Sequence, residues 1–174
     1  MTRDPLLALI DALDAADPSP QRAPAAAAAA AAHVPALLGC AGWLPAAAAV
    51  AETGGYRRTL LHDDPRGRFS IGCLTWGPGQ ASPIHDHNGW AVLGVVAGRL
   101  VTRSYAAAAG PEPLTITRVD VLAPGGVQAV ATADDIHEVR NDDPRDLAIS
   151  LHVYGCPFAV ATRRVYDRPM EAAG

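Results

Sequence analysis

Near the start of the chain Leu6, Leu7, Ile10 and Leu13 recur at helical spacing, and Pro18 and Pro20 end the pattern. That pattern predicts a first amphipathic helix whose apolar face caps a core formed elsewhere. The following stretch, "APAAAAAAAAHVPALLGCAGWLPAAAAVAE", is dominated by alanine, the strongest helix former. Pro35, Gly39, Gly42 and Pro45 should divide it into short pieces, and the tract 25–32 is of low complexity and predicts no chemistry. After Gly54 and Gly55 the period shortens. "YRRTLL", "RFSIGCLTW", "GWAVLGVVAG", "RLVTRSYA", "LTITRVDVLA", "VQAVAT", "IHEVRN" and "LAISLHVYG" are short β-prone runs. Turn signals separate them: "DPRG" from Asp64, "GPG" from Gly77, "AGP" from Ala109 and "PGG" from Pro124. This rhythm predicts a mainly β protein, a small barrel or sandwich of the jelly-roll kind, behind N-terminal α-helices. The expected organisation is a single domain over 1–174, with a helical segment at 1–53 and the barrel at 54–168.

A chain of 174 residues and 18.0 kDa is long enough to bury a core of its own without disulfides. Its 14 Lys+Arg and 18 Asp+Glu are scattered, with a formal net charge of −4, so there is no basic stripe for a nucleic-acid partner. Cys40, Cys73 and Cys156 are odd in number, far apart and without C-x-x-C spacing, which fits a reducing, cytoplasmic setting. Asp4, Asp11 and Asp14 are foreign to a secretory leader, and the alanine tract is too weakly apolar to span a membrane. Exposed edges of such a barrel leave a homo-oligomer open.

The chemistry centres on "SPIHDHNGWAVLGVVAG", where His85 and His87 flank Asp86. In a strand, alternate residues share a face, so both imidazoles would point inward and Asp86 outward. On its own the pair is read equally as metal ligands or as polar residues at the mouth of a strand. His137, in "DDIHEVRN", begins another predicted strand and is the natural third ligand. Three imidazoles form a facial set that leaves positions open for substrate.

Spacing then becomes specific. Gly79, five residues, His85-x-His87, three residues, Ala91, six residues and Gly98 resemble the first signature motif of the cupin superfamily. Pro124-x-Gly126, followed by His137 and Asn141, resembles the second, with a stretched interval before His137. Common cupins carry a metal-binding Glu where this chain has Ala91. Three neutral imidazoles leave a divalent ion its full charge, a setting that favours an anionic ligand such as a thiolate.

A three-histidine cupin without that Glu resembles the thiol dioxygenases of the cysteine dioxygenase family, over about residues 55–166. "SLHVYGCPF" strengthens the likeness, since Ser150, His152 and Tyr154 are similar to the family's hydrogen-bonded triad, whose phenol reaches toward the reacting thiol and dioxygen. "GYRRTLL" resembles the segment Tyr-x-Arg-x-Leu, with Tyr56, Arg58 and Leu60 as the matching residues and Arg58 as the substrate-carboxylate anchor. The bacterial 3-mercaptopropionate dioxygenases use instead an arginine after the triad, and Arg163 is placed to be that residue. Mammalian members have a cysteine cross-linked to the triad tyrosine where this chain has Ala91, so no such thioether is expected. Trp90 is expected in the pocket wall.

The resemblance implies Fe(II) held by His85, His87 and His137, and a small carboxylated thiol oxidised by O2 to a sulfinate. L-Cysteine is the favoured substrate and 3-mercaptopropionate a close second. Two other readings remain: a three-histidine zinc site that activates water for hydrolysis, and a non-catalytic cupin that binds a metal or small ligand. Asp86 and Glu138 are expected to be structural, His33 and His62 to be surface residues, and Cys73 and Cys156 to be ordinary buried thiols.

Overall fold

The structure is a computed structural model that describes residues 4–18, 22–40, 42–107, 114–130 and 135–166. Helix α1 spans Pro5–Ala16, with Pro at its start and the Asp4 carboxylate accepting a 2.9 Å hydrogen bond from the Leu6 amide. Leu9 and Leu13 are its buried residues, with Leu6 and Ile10 packed beside them. Leu7 is 54 % exposed, so the apolar stripe is rotated away from the expected face.

The alanine-rich stretch forms one 16-residue helix, α2, over Ala23–Leu38, not the short pieces expected. Pro35 falls in its last turn, where a missing amide costs a single bond to a carbonyl four residues back. The low-complexity tract has a packing role: Ala26, Ala27 and Ala30 are buried, and their small size lets the helix lie close on a sheet.

Among the described residues ten antiparallel strands follow: β1 Arg57–Asp63, β2 Ser70–Trp76, β3 Ile84–His87, β4 Ala91–Ala97, β5 Leu100–Ala106, β6 Thr115–Leu122, β7 Val127–Val130, β8 Ile136–Arg140, β9 Ala148–Tyr154 and β10 Thr162–Tyr166. They form two five-stranded sheets, ordered β1-β2-β9-β4-β7 and β10-β3-β8-β5-β6. The eight β-prone runs all became strands, while β3 and β10 were not among them. The turn expected at 109–111 lies outside the described residues, as does the end of the barrel past residue 166.

The first sheet is covered on both faces. Leu151 and Val153 of β9 pack with Ile71, Cys73 and Val92 against Leu9, Leu13 and Val34 of the helices. Val34 and Leu38 press so closely on β4 that a Cβ at Gly94 would lie 2.6 Å from Val34 Cγ1 and 2.9 Å from Leu38 Cδ1. On the other face Leu74, Trp76, Leu93 and Val95 meet Leu100 and Val139 of the second sheet. The signature glycines Gly79 and Gly98 both take positive φ, 70° and 71°, and at Gly98 a Cβ would also strike the Leu147 carbonyl at 2.6 Å. No described helix is long and apolar enough to cross a membrane.

Candidate active site

The register of the second sheet sets His85 of β3 directly opposite His137 of β8, and His87 opposite Thr162 of β10. Alternation along β3 and β8 sends these imidazoles between the sheets, where one ligand atom from each lies within 4.8 Å of the others. Their ring centroids stand 4.7–5.0 Å apart.

Each Nδ1 faces a main-chain carbonyl: His85 that of Pro83 at 2.9 Å, His87 that of Ala161 at 3.0 Å and His137 that of Asp135 at 3.1 Å. A carbonyl only accepts, so Nδ1 carries the proton and each Nε2 is left with its lone pair. Burial, reinforced by the neighbouring imidazoles, lowers His85 to about 4 and His87 to about 3; burial lowers His137 as well. Three neutral nitrogen donors with fixed tautomers fit a divalent transition-metal ion. Among the described residues no carboxylate lines the cavity they border.

The opposite wall comes from β9 at the centre of the first sheet, where Ser150, His152 and Tyr154 are all buried on one face. Ser150 Oγ lies 2.8 Å from His152 Nε2, and Tyr154 Oη 3.1 Å from His152 Nδ1. Trp76 of β2 joins them, its Nε1 donating to Ser150 Oγ at 2.9 Å. An indole N–H only donates, and this fixes the first step of the chain. Ser150 accepts from Trp76, and its own hydroxyl proton has one acceptor among the described residues, His152 Nε2, so Ser150 is the donor there. Burial holds His152 neutral, well below its ordinary range, so its single proton sits on Nδ1 and goes to the Tyr154 oxygen. The phenolic proton is thereby left for the cavity. Burial also pushes the Tyr154 phenol up, which keeps it protonated. Its ring lies 5.2 Å from that of His87, and Ala91 of β4 is its cross-strand neighbour.

Tyr56 and Arg58 close the cavity from the side of β1. The Tyr56 ring stacks on Trp76 at 4.4 Å. Arg58 donates from Nη2 to the Phe158 carbonyl at 2.8 Å, and its guanidinium lies 4.4 Å above the Phe158 ring. Phe158 lies flat on β2 because residue 72 is glycine; a Cβ there would come within 2.4 Å of the ring. The cavity that Tyr56 and Arg58 border is small, about 20 Å³, and partly open to the outside.

Two expected site residues lie elsewhere. The Arg163 guanidinium pairs with Asp86 Oδ2, at 3.1 Å from Nε and 2.5 Å from Nη2, on the outer face of the second sheet, and it does not border the cavity. Trp90 is buried in the core beneath the helices, and the tryptophan that reaches the cavity is Trp76. Trp76, Gly72 and Phe158 carry no spacing signal of their own. Cys73 and Cys156 are buried thiols pushed up by burial to about 12 and about 11, in keeping with an unreactive role.

The sequence profile of the family described as "Cysteine dioxygenase type I" matches residues 39–169. Human cysteine dioxygenase type 1 is 30 % identical over 105 residues, covering 59 % of this chain and 52 % of the human protein. The Bos taurus protein is 31 % identical over 118 residues, covering 66 % of this chain and 59 % of its own. The chain thus spans about half the length of the curated relatives it matches. Among solved structures, the TT1209 protein from Thermus thermophilus aligns with a TM-score of 0.50 at 24 % identity, over 64 % of this chain and 91 % of that one. An uncharacterized conserved protein with a double-stranded β-helix domain from Klebsiella pneumoniae aligns with a TM-score of 0.50 at 17 % identity, over 70 % and 93 %. These two likenesses concern the fold alone, the double-stranded β-helix of cupins.

Proposed function

The chain belongs to the cysteine dioxygenase type I family, and from that premise we propose that it is an Fe(II)-dependent thiol dioxygenase. It would convert a small carboxylated thiol and O2 to the corresponding sulfinic acid, both oxygen atoms going to sulfur. L-Cysteine is the favoured substrate and 3-mercaptopropionate the second. The observation that carries this reading is the confrontation, across one small cavity, of three Nε2 lone pairs with a phenol at the end of a directed hydrogen-bond chain.

His85, His87 and His137 would hold the metal. Ferrous iron, when bound, supplies the open positions and the redox chemistry that O2 requires. Neutral imidazoles leave the cation uncompensated, so the cavity favours a thiolate over a thiol. Arg58, held over Phe158, would pair its guanidinium fork with the substrate carboxylate. Tyr154 Oη would donate its proton toward the reacting atoms, with His152, Ser150 and Trp76 fixing that direction. The Tyr56–Trp76 stack would form one wall of the cavity. Ala91 offers the phenol a methyl group, so Tyr154 acts without a thioether.

Oxygen uptake by the Fe(II)-loaded protein, with the sulfinate identified by mass, tests the reading against cysteine, 3-mercaptopropionate, cysteamine and mercaptosuccinate. Carboxylated thiols should be consumed, and cysteamine, which lacks a carboxylate for Arg58, should be poor. Stoichiometric zinc together with no thiol-dependent uptake would overturn it in favour of a hydrolytic metal site. Tyr154→Phe should lower turnover about a hundredfold with the metal content unchanged.

A further inference from the structure

Strand β6 ends the second sheet, and among the described residues it pairs only with β5. It has no proline or lysine, and it exposes Ile116, Val119 and Val121 at 48 %, 54 % and 58 %. Such an edge is a template for another strand. The order of residues along it specifies which strand. An antiparallel pair related by a two-fold axis that extends the sheet and keeps its two faces must set one residue against its own copy, because facing residues share a face.

Arg118 or Asp120 at the axis would oppose like charges. Thr117 at the axis sets Arg118 against Ile116, and Val121 sets Asp120 against Leu122. With Val119 at the axis, Arg118 faces the second copy's Asp120, Asp120 faces its Arg118, and Val119 meets Val119. Within one chain Arg118 Nε already lies 2.7 Å from Asp120 Oδ2, which also accepts from Gln128 Nε2 at 3.2 Å. Pairing would join two such pairs into a ring of four alternating charges.

We infer that β6 is a homodimer interface, self-complementary about Val119, which joins the second sheets of two copies into one. The occupant is a second copy of this chain because the charge pattern of residues 118–120 complements itself in the antiparallel direction. The register shift between Ser104 and Tyr105, where Thr117 is the extra residue, limits regular pairing to a short stretch. The dimer is accordingly weak and concentration-dependent.

Sedimentation of the full chain over a concentration series should show a mass rising from one chain toward two. Arg118→Asp should weaken the association about tenfold or more, and the charge-swapped Arg118→Asp/Asp120→Arg protein should restore it. Facing residues in such a pair have Cα atoms about 4.5–5.5 Å apart, within disulfide range. In a Cys40→Ser background, Val119→Cys should therefore cross-link with itself on mild oxidation. Val121→Cys, two residues from the axis, should stay single. Melting curves check that each variant folds, and the cysteine set decides the matter if the charge variants do not. A dimer indifferent to Arg118→Asp, or the absence of cross-linking at residue 119, would overturn the inference.

Discussion

On β3, His85 and His87 face the cavity while Asp86, between them, faces the outside of the second sheet, and β8 divides His137 from Glu138 in the same way. Burial is as deep on one side as on the other: His87 is 4 % exposed, Asp86 0 % and Glu138 1 %. The outcomes are opposite. The imidazoles meet carbonyls and one another, and burial strips their charge. For Asp86, burial alone would raise its pKa. The Arg163 guanidinium, the Tyr166 hydroxyl and the Arg164 amide outweigh it and hold the carboxyl below its usual range. Glu138 pairs with Arg103 at 3.0 Å. Desolvation thus acts alike on adjacent residues, and the partners each face provides decide which side keeps its charge. Among the described residues the cavity is left with lone pairs and no anion.

The comparison breaks most completely at the cavity face. His137→Ala should reduce metal affinity about a hundredfold or more and abolish turnover, with folding retained; metal analysis after dialysis reads this directly. Acid should separate the two faces in the metal-free protein. Unfolded histidines take up protons below pH about 6.5, whereas folded His85 and His87 resist until about 4 and about 3. The unfolded state then binds more protons, and stability falls as pH falls by about 1.4 kcal/mol per pH unit for each. Asp86, depressed in the folded state, contributes loss only below about pH 4, where unfolded carboxylates protonate. Denaturant midpoints measured from pH 7 to pH 3 should therefore decline in two stages, the cavity face first.

Asp86→Asn removes the buried charge that the Arg163 guanidinium, 28 % exposed, and the Tyr166 hydroxyl share, and should cost about 2–3 kcal/mol in a melt with metal stoichiometry unchanged. Glu138→Gln keeps the shape of the side chain and should cost about 1 kcal/mol, the smallest effect of the set.

Alternation made this division legible in the sequence, since one His-x-His in a strand sends Asp86 to the other face. The spacing from Gly79 to Gly98 and the triad from Ser150 to Tyr154 carried most of the rest. Alternation failed where both faces are covered: β2 and β9 are buried throughout, so Trp76 could not be told from Trp90 by pattern. Strands β3 and β10 lacked an apolar run because polar residues serve both of their faces. Arg163 was misplaced because its partner, Asp86, lies 77 residues away, and an ion pair of that separation leaves no trace in local spacing. Helix α2 ran past Pro35 because tertiary packing of its alanines outweighs a lost bond in the last turn.

Under the proposed function, the absence of a side chain at Gly72 bears on which thiols would fit. Without a Cβ there, Phe158 lies flat and grips Arg58 by its carbonyl and its ring. A long, flexible cation becomes a fixed jaw, standing opposite imidazoles that are equally fixed by their carbonyl bonds. Under the function proposed above, such a pair would work as a caliper for the reach from sulfur to carboxylate, and homologous thiols differing by one methylene would be sorted by length.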